Sequence, residues 1–372
     1  KLPGIKGIER FKGHSFHSAR WDYEYTGGGI HEDLYKLKDK RVAVIGTGAT
    51  GIQLIPRVAK SAKQTYVFQR TPSSIGVRGN YETDPAWFKA QTPGWTDRRR
   101  TMFLEAVTGR GDDSEIRDGW TDSGRLLRET TPSTPETMEE MGKRAMLVDV
   151  EVMNQRRARI DQIVKDPATA EKLKPWYNLF CKRPCFNDEF LSAFNQPNVE
   201  LIDVSGDNAI TEITEKGVVA GGKEYEVDLI IFASGFQVIG TVDQRVSFPV
   251  VGRDGKRLNE HWREGMRTLH GLTVHNFPNW YYIGQGQNAV AANYTTTVDD
   301  QAKHLAYILS TARDRGATRI EPTAAAEERW IEEIRSAGYQ APDFYVNCTP
   351  GYYNNEGQSG VTIWDESYSP GP

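Results

Sequence analysis

A glycine triplet and a few cationic positions carry the clearest chemistry in this chain. Gly46-Thr47-Gly48-Ala49-Thr50-Gly51 has the spacing G-x-G-x-x-G, in which absent side chains let backbone amides approach a pyrophosphate. It follows Arg41-Val42-Ala43-Val44-Ile45, a short apolar run of the kind buried in a parallel sheet. After it, Ile52, Ile55, Val58, Ala59 and Ala62 recur at helical spacing. The glycine pattern alone would be weak; strand, loop and helix in this order predict a dinucleotide site with its phosphates at a helix N-terminus. Pro56 falls inside that helix and predicts a bend. The next predicted strand, 65–71, ends at Arg70-Thr71. A site for an unmodified ribose would place Asp or Glu there, whereas a guanidinium suits a 2′-phosphate. The sequence therefore favours NADP over NAD, the alternative being a surface arginine at a strand end.

A second constellation lies upstream. Phe11, Gly13, His17, Trp21 and Asp22 form the pattern F-x-G-x-x-x-H-x-x-x-W-D. Gly13 permits a backbone turn, and His17 and Trp21 are large groups with polar handles. On residue types alone, a loop whose aromatics cover a domain edge is the favoured explanation. A third stretch, Cys181-Lys182-Arg183-Pro184-Cys185-Phe186, places two cations side by side. The bland reading of Arg183 is a salt bridge between domains.

Composition narrows the class. With 372 residues, 38% hydrophobic and 26% charged, and a formal charge of −4, the chain reads as an ordinary soluble protein of two or three domains. Nothing in it suggests a nucleic-acid partner, and no apolar run approaches the ~20 residues that span a bilayer. The three cysteines, Cys181, Cys185 and Cys348, indicate reduced thiols in a cytoplasmic setting rather than a disulfide framework. No metal site is expected, because Cys181 and Cys185 lack further Cys or His partners. The basic clusters 97–100 and 154–159 read as solvated helix faces. The chain begins at Lys1-Leu2-Pro3, which looks like the middle of a protein.

The elements that must position these residues follow an α/β order. Residues 1–40 form a signature segment, 41–91 the first part of a dinucleotide-binding domain, and 92–178 a charged helical insertion. Residues 179–235 return to the sheet, with a strand at 199–204, a hairpin near Glu215-Lys216-Gly217 and a buried strand at 227–236. From 236 to 372 a further domain part follows. Asn279-Trp280-Tyr281-Tyr282-Ile283-Gly284 is its predicted core strand, with accessible amides after it. A helix over 296–315 presents Val298, Ala302, Leu305, Ala306 and Leu309 on one face, and Gly316 stops it. The aromatic tail 348–357 is a lid or a packed end.

The twelve-residue signature, the glycine fingerprint and the Lys182-Arg183 pair together resemble the Baeyer–Villiger monooxygenases, closest in look to members acting on large polycyclic ketones. The resemblance spans nearly the whole chain. It implies a Rossmann-like flavoprotein with two dinucleotide-binding domains, one for FAD and one for NADPH. It implies oxidation of ketones to esters or lactones with O2 through a C4a-peroxyflavin. Gly46, Gly48 and Gly51 then match the NADP fingerprint, with Thr47, Ala49 and Thr50 between them, and Arg70, Thr71 and Lys182 match the 2′-phosphate positions. His17 and Trp21 match the interdomain hinge, Arg183 the active-site arginine, and Asn293 and Tyr294 the loop lining the flavin and substrate pocket. Asp228 to Gly235 resembles the family's D-x-x-x-x-A-T-G juncture, with Ser234 in place of threonine. The family's first glycine fingerprint, which holds FAD, is not in this sequence, so an N-terminal part of the FAD domain is expected to be missing. The competing readings are a flavin monooxygenase oxidising nitrogen or sulfur, against which Trp21-Asp22 argues, and a non-catalytic NADP-binding fragment.

Overall fold

The apolar run Arg41–Ile45 forms the middle strand, β2, of a five-stranded sheet. Numbered along the chain, the strands stand in the order β1 (His14–His17), β10 (Leu229–Phe232), β2, β3 (Gln64–Gln69) and β6 (Val199–Asp203), all parallel. Val42 and Val44 face one apolar cluster with Ile52, Ile55 and Val58. Ala43 and Ile45 face the other, with Phe68, Ile213, Val218 and Phe232. Burial on both faces is why β2 is continuously apolar rather than alternating. The computed structural model describes all residues except 1, 112–113, 117, 237–241, 243–245, 285, 290, 338–347, 349, 352–353, 355 and 357–372, and the side chain of Met138. Two compact units result, 1–236 and 237–372.

In the first unit, helix α2 (Gly51–Ser61) connects β2 to β3 and runs through Pro56 uninterrupted. A long excursion separates β3 from β6. It contains helices Trp95–Val107, Asp122–Glu129, Met138–Ile163 and Pro167–Leu173. The excursion leaves and returns through a parallel pair of two-residue strands, β4 (Ile75–Gly76) and β5 (Cys185–Phe186). A three-stranded antiparallel sheet, β7 (Ile210–Ile213), β8 (Gly217–Ala220) and β9 (Lys223–Glu226), then carries the chain from β6 across to β10.

The basic stretch 154–159 is not a solvated face. Arg156 is 7% exposed, its guanidinium 5.0 Å from the Phe186 ring centre. Arg157 lies over Trp176, and Arg159 reaches the carbonyls of Ile75 and Asn187. The helix Met138–Ile163 thus packs cations against backbone oxygens and aromatic faces, partners that charge counting along one segment does not reveal. Cys185 is a free, buried thiol.

The second unit departs further from expectation. Residues 279–284 form no strand; their one bridge pairs Tyr281 with Thr273, and Ile283 is exposed. Apolarity makes a strand possible, but without a ladder partner none forms. The predicted long helix spans Tyr294–Asp314, its buried residues being Thr296, Thr297 and Gln301, and a further helix, Ala324–Ala337, follows it. Of the predicted apolar face, Ala302, Ala306 and Leu309 are exposed. The tail 348–357 lies largely outside the described residues. A small core of Val250, Leu258, Val274 and Phe277 supports this unit. Among the described residues, no helix is long and apolar enough to cross a membrane.

Asp228 clamps the start of the central strands. Its Oδ2 accepts from Arg41 N at 2.8 Å, and its Oδ1 accepts from Arg41 Nη2 at 3.2 Å. Burial works to raise its pKa, but the Arg41 hydrogen bonds outweigh burial and hold the carboxyl below the ordinary value of 3.8. Its stabilisation is therefore complete above that value and lost as pH falls through the lower folded pKa. We expect Asp228→Asn to lower unfolding free energy by about 1 kcal/mol at pH 7, discounted for partial exposure. The difference from wild type should shrink below about pH 4 in urea titrations.

Candidate dinucleotide site

The loop after β2 is shaped by what cannot fit in it. Gly46 has φ +107°, and a Cβ there would lie 2.6 Å from Ala233 O. Its N–H donates to Phe68 O at 3.0 Å, so the chain turns between the ends of β10 and β3. A Cβ on Gly51 would overlap Gly46 O, so the first turn of α2 sits directly on the loop. Gly48 differs: nothing lies within 4 Å of its Cβ position. No side chain caps α2, which leaves its N-terminal dipole and amides for a ligand. Close packing behind and open space in front fit a bound pyrophosphate.

Beside this loop, hydrogen bonds and strand register place the segments that carry the 2′-phosphate candidates. Buried Thr47 Oγ1 is 3.3 Å from both Gln69 Oε1 and Thr71 O. Ser73 Oγ donates to Thr47 O at 2.6 Å. Arg70 is exposed just past β3. The β4–β5 pairing sets Ile75 opposite Cys185, and Cys185 N donates to Ser74 O at 3.1 Å. In a parallel pair, the residues preceding each strand emerge on the same side. Arg70-Thr71 and Lys182-Arg183, about 110 positions apart in the chain, thus lead into adjacent strands.

The signature folds into a local clasp. Phe11 lies over Gly13, where a Cβ would meet its ring at 2.5 Å and Asp228 O at 2.8 Å. Gly13 is thus required by close approach rather than by a left-handed turn. His17, ending β1, accepts from Ala19 N at Nδ1 (3.2 Å) and so donates from Nε2 to Gly235 O (2.9 Å). Trp21 Nε1 donates to buried Thr26 Oγ1 at 3.1 Å. Asp22 caps the short helix Tyr23–Thr26 by accepting from Tyr25 N, and it contacts His14 Nε2 at 2.8 Å. The Tyr25 N–H first, and His14 after it, hold the Asp22 carboxyl below its usual range. His17 therefore fastens the β1 end to the chain leaving β10, while Trp21 and Asp22 brace the turn that follows.

Comparison with known proteins bears on this arrangement. The chain is 47% identical over 361 residues to Baeyer-Villiger monooxygenase ATR8 of Stachybotrys chlorohalonatus, covering 96% of this chain and 58% of that protein. It is 45% identical over 377 residues to neopentalenolactone D synthase of Streptomyces avermitilis, covering 100% of this chain and 63% of that one. Among solved structures, a polycyclic ketone monooxygenase from Thermothelomyces thermophila superposes with TM-score 0.85 at 38% identity, over 96% of this chain and 59% of that one. This chain is homologous to Baeyer–Villiger monooxygenases. It spans about three fifths of the length of the curated relatives it matches. No family model matches it.

Arg183 is exposed, with its guanidinium 5.7 Å from the Trp120 ring centre. Asn293 and Tyr294 belong to the second unit. Asn293 caps the helix Tyr294–Asp314 by accepting from Thr295 N at 3.1 Å, and Tyr294 is exposed. In the first turn of that helix, Thr296 Oγ1 is buried with no hydrogen-bond partner among the described residues. An orphaned hydroxyl at a helix N-terminus suits a polar group of a ligand. The loop before it is less open than predicted, since Gly284 N donates to Gln301 Oε1.

Two residues of the site escaped sequence reasoning. Tyr177 is half-buried, desolvation pushes its hydroxyl pKa up, and it donates to Pro72 O at 2.8 Å. Arg156 braces β4 and β5; a Cβ on Gly76 would overlap its guanidinium, and burial lowers its pKa to about 10. Each lies in irregular or helical sequence without a motif. The only hint was the density of arginines at 156–159 beside the aromatic Trp176-Tyr177.

The glycines should separate by role. Gly48→Ala is expected to melt within about 2 °C of wild type, since its Cβ meets nothing, yet to weaken dinucleotide binding at least about tenfold. Gly51→Ala should cost roughly 2 kcal/mol of stability. Thermal melts paired with ligand titrations distinguish the two.

Proposed function

We propose that this chain carries the NADP-binding domain and the C-terminal part of the FAD-binding domain of a Baeyer–Villiger monooxygenase, which oxidises ketones to esters or lactones with O2. In this reading residues 41–91 and 179–235 form the NADP-binding domain around the insertion 92–178, and 236–372 belongs to the FAD-binding domain. The supporting observation is the pairing of a glycine loop, open only at Gly48, with a His17–Gly235 clasp of Baeyer–Villiger pattern in the same unit. Sequence identities of 45–47% to a Baeyer–Villiger monooxygenase and a lactone synthase add to it, as does a steroid monooxygenase solved with NADP (TM-score 0.74, 27% identity).

The residues would divide the work as follows. The amides of 46–51 and the α2 N-terminus hold the pyrophosphate. Arg70, Thr71 and Lys182 hold the 2′-phosphate, the guanidinium through a fork of hydrogen bonds. The orphaned Thr296 hydroxyl and the helix N-terminus behind Asn293 suit an electron-rich edge of the flavin. When bound, the reduced nicotinamide supplies hydride, and the flavin with O2 supplies the oxygen that reaches the ketone. The Arg183 guanidinium would stabilise negative charge where oxygen attacks the carbonyl. Its planar fork would hold one orientation better than a lysine ammonium would. Trp21-Asp22 favours this over nitrogen or sulfur oxidation.

The experiment combines intact mass, visible spectrum and ketone-dependent NADPH consumption of the purified protein. A flavin spectrum with lactone formation supports the reading. NADP binding without flavin or turnover would instead leave a non-catalytic nucleotide-binding module. In active protein, Arg183→Ala should lower lactone formation by at least about 100-fold, and Arg183→Lys should restore it only in part. Gas chromatography of products against NADPH consumed measures both.

A further inference from the structure

Tyr177 joins three parts of the site that the chain holds far apart. The Lys182 ammonium lies 5.0 Å from the centre of its ring. Its hydroxyl donates to Pro72 O at 2.8 Å. Pro72 lies between Thr71, whose carbonyl is 3.3 Å from Thr47 Oγ1, and Ser73, whose hydroxyl donates to Thr47 O. One side chain therefore ties the Lys182 cation to the turn after Arg70 and, through it, to the glycine loop. The tyrosine is half-buried, and the segments carrying Pro72 and Lys182 lead into the paired strands β4 and β5.

Holding a lysine matters more than holding an arginine. An ammonium on four methylenes has many rotamers, and each must be frozen before it can serve one phosphate. A ring beneath the ammonium removes much of that cost before the ligand arrives, without neutralising the charge as a carboxylate would. We propose that Tyr177 is the positioning residue for cofactor specificity: it presets Lys182 against the Arg70–Pro72 turn so that a dinucleotide bearing a 2′-phosphate binds in preference to one without. Tyr177 need not touch the cofactor to do so. This inference rests on the NADP reading of the site.

The test compares equilibrium binding of NADP+, NAD+, 2′,5′-ADP and 5′-AMP, by calorimetry, to wild-type protein and to Tyr177→Phe and Tyr177→Leu variants. Tyr177→Leu removes both contacts and should weaken NADP+ and 2′,5′-ADP about tenfold, while NAD+ and 5′-AMP change less than about twofold. Tyr177→Phe keeps the ring under Lys182 and loses only the Pro72 bond, so it should weaken the 2′-phosphorylated ligands about threefold. If Tyr177→Leu does not fold, the Phe variant decides by the same ratio. Equal weakening of phosphorylated and unphosphorylated ligands, or no change in either, would overturn the proposal and leave Tyr177 a packing residue. Wild-type protein showing no preference for NADP+ would overturn both this inference and the NADP reading. A wild-type preference that survives in both variants overturns the inference alone.

Discussion

The constraint on which the first unit turns is the closeness of three backbones at the end of β2. Gly46 sits where even a methyl group would strike Ala233 O, and Gly51 sits where one would strike Gly46 O. Without these contacts the helix α2 could not start at the sheet edge, and its dipole would point away from the space in front of Gly48. Everything else in the unit serves this approach. The Asp228–Arg41 clamp fixes how β10 and β2 enter the sheet side by side. The His17–Gly235 bond fixes how the chain leaves it. The shape of the glycine loop is thus set by backbone packing, and the polar side chains only tune it.

Much of this was legible in the sequence because it is local. Strand, loop and helix around Gly46 follow from apolar period and glycine spacing within twenty residues. Arg70 is read from its distance to that loop, and the insertion from its helical, charged composition. The signature was legible only through resemblance, since residue types alone left Phe11, His17 and Trp21 as edge cover. What the sequence hid depends on partners distant along the chain. Arg156 looked solvated because nothing near it in sequence shows that Phe186 and Cys185 O would receive it. Tyr177 carried no motif, because its importance lies in touching Pro72 and Lys182 together.

The second unit shows the same limit from the other side. Residues 279–284 and the helix after Asn293 have the apolar content of core elements, yet Ile283, Ala302, Ala306 and Leu309 are exposed. Hydrophobic pattern reports what a segment could bury, not whether a surface is there to cover it. Polar residues do the anchoring instead: Gln301 ties Gly284 N to the helix, and Gln287 accepts from the backbone and hydroxyl of Thr268.

The two-residue ladder between β4 and β5 has a consequence for how this chain can vary. Residues 77–184 leave and return through that ladder, so they form a closed ring of polymer pinched at its neck. The entropy of closing such a ring grows only with the logarithm of its length. Helices within it can lengthen, shorten or be replaced at little cost to the neck, provided that Arg156 still reaches back to brace it. The excursion can thus be remodelled by drift while Ile75 and Cys185 keep their register. The insertion is where we expect descendants of this fold to differ most, and its neck where they differ least.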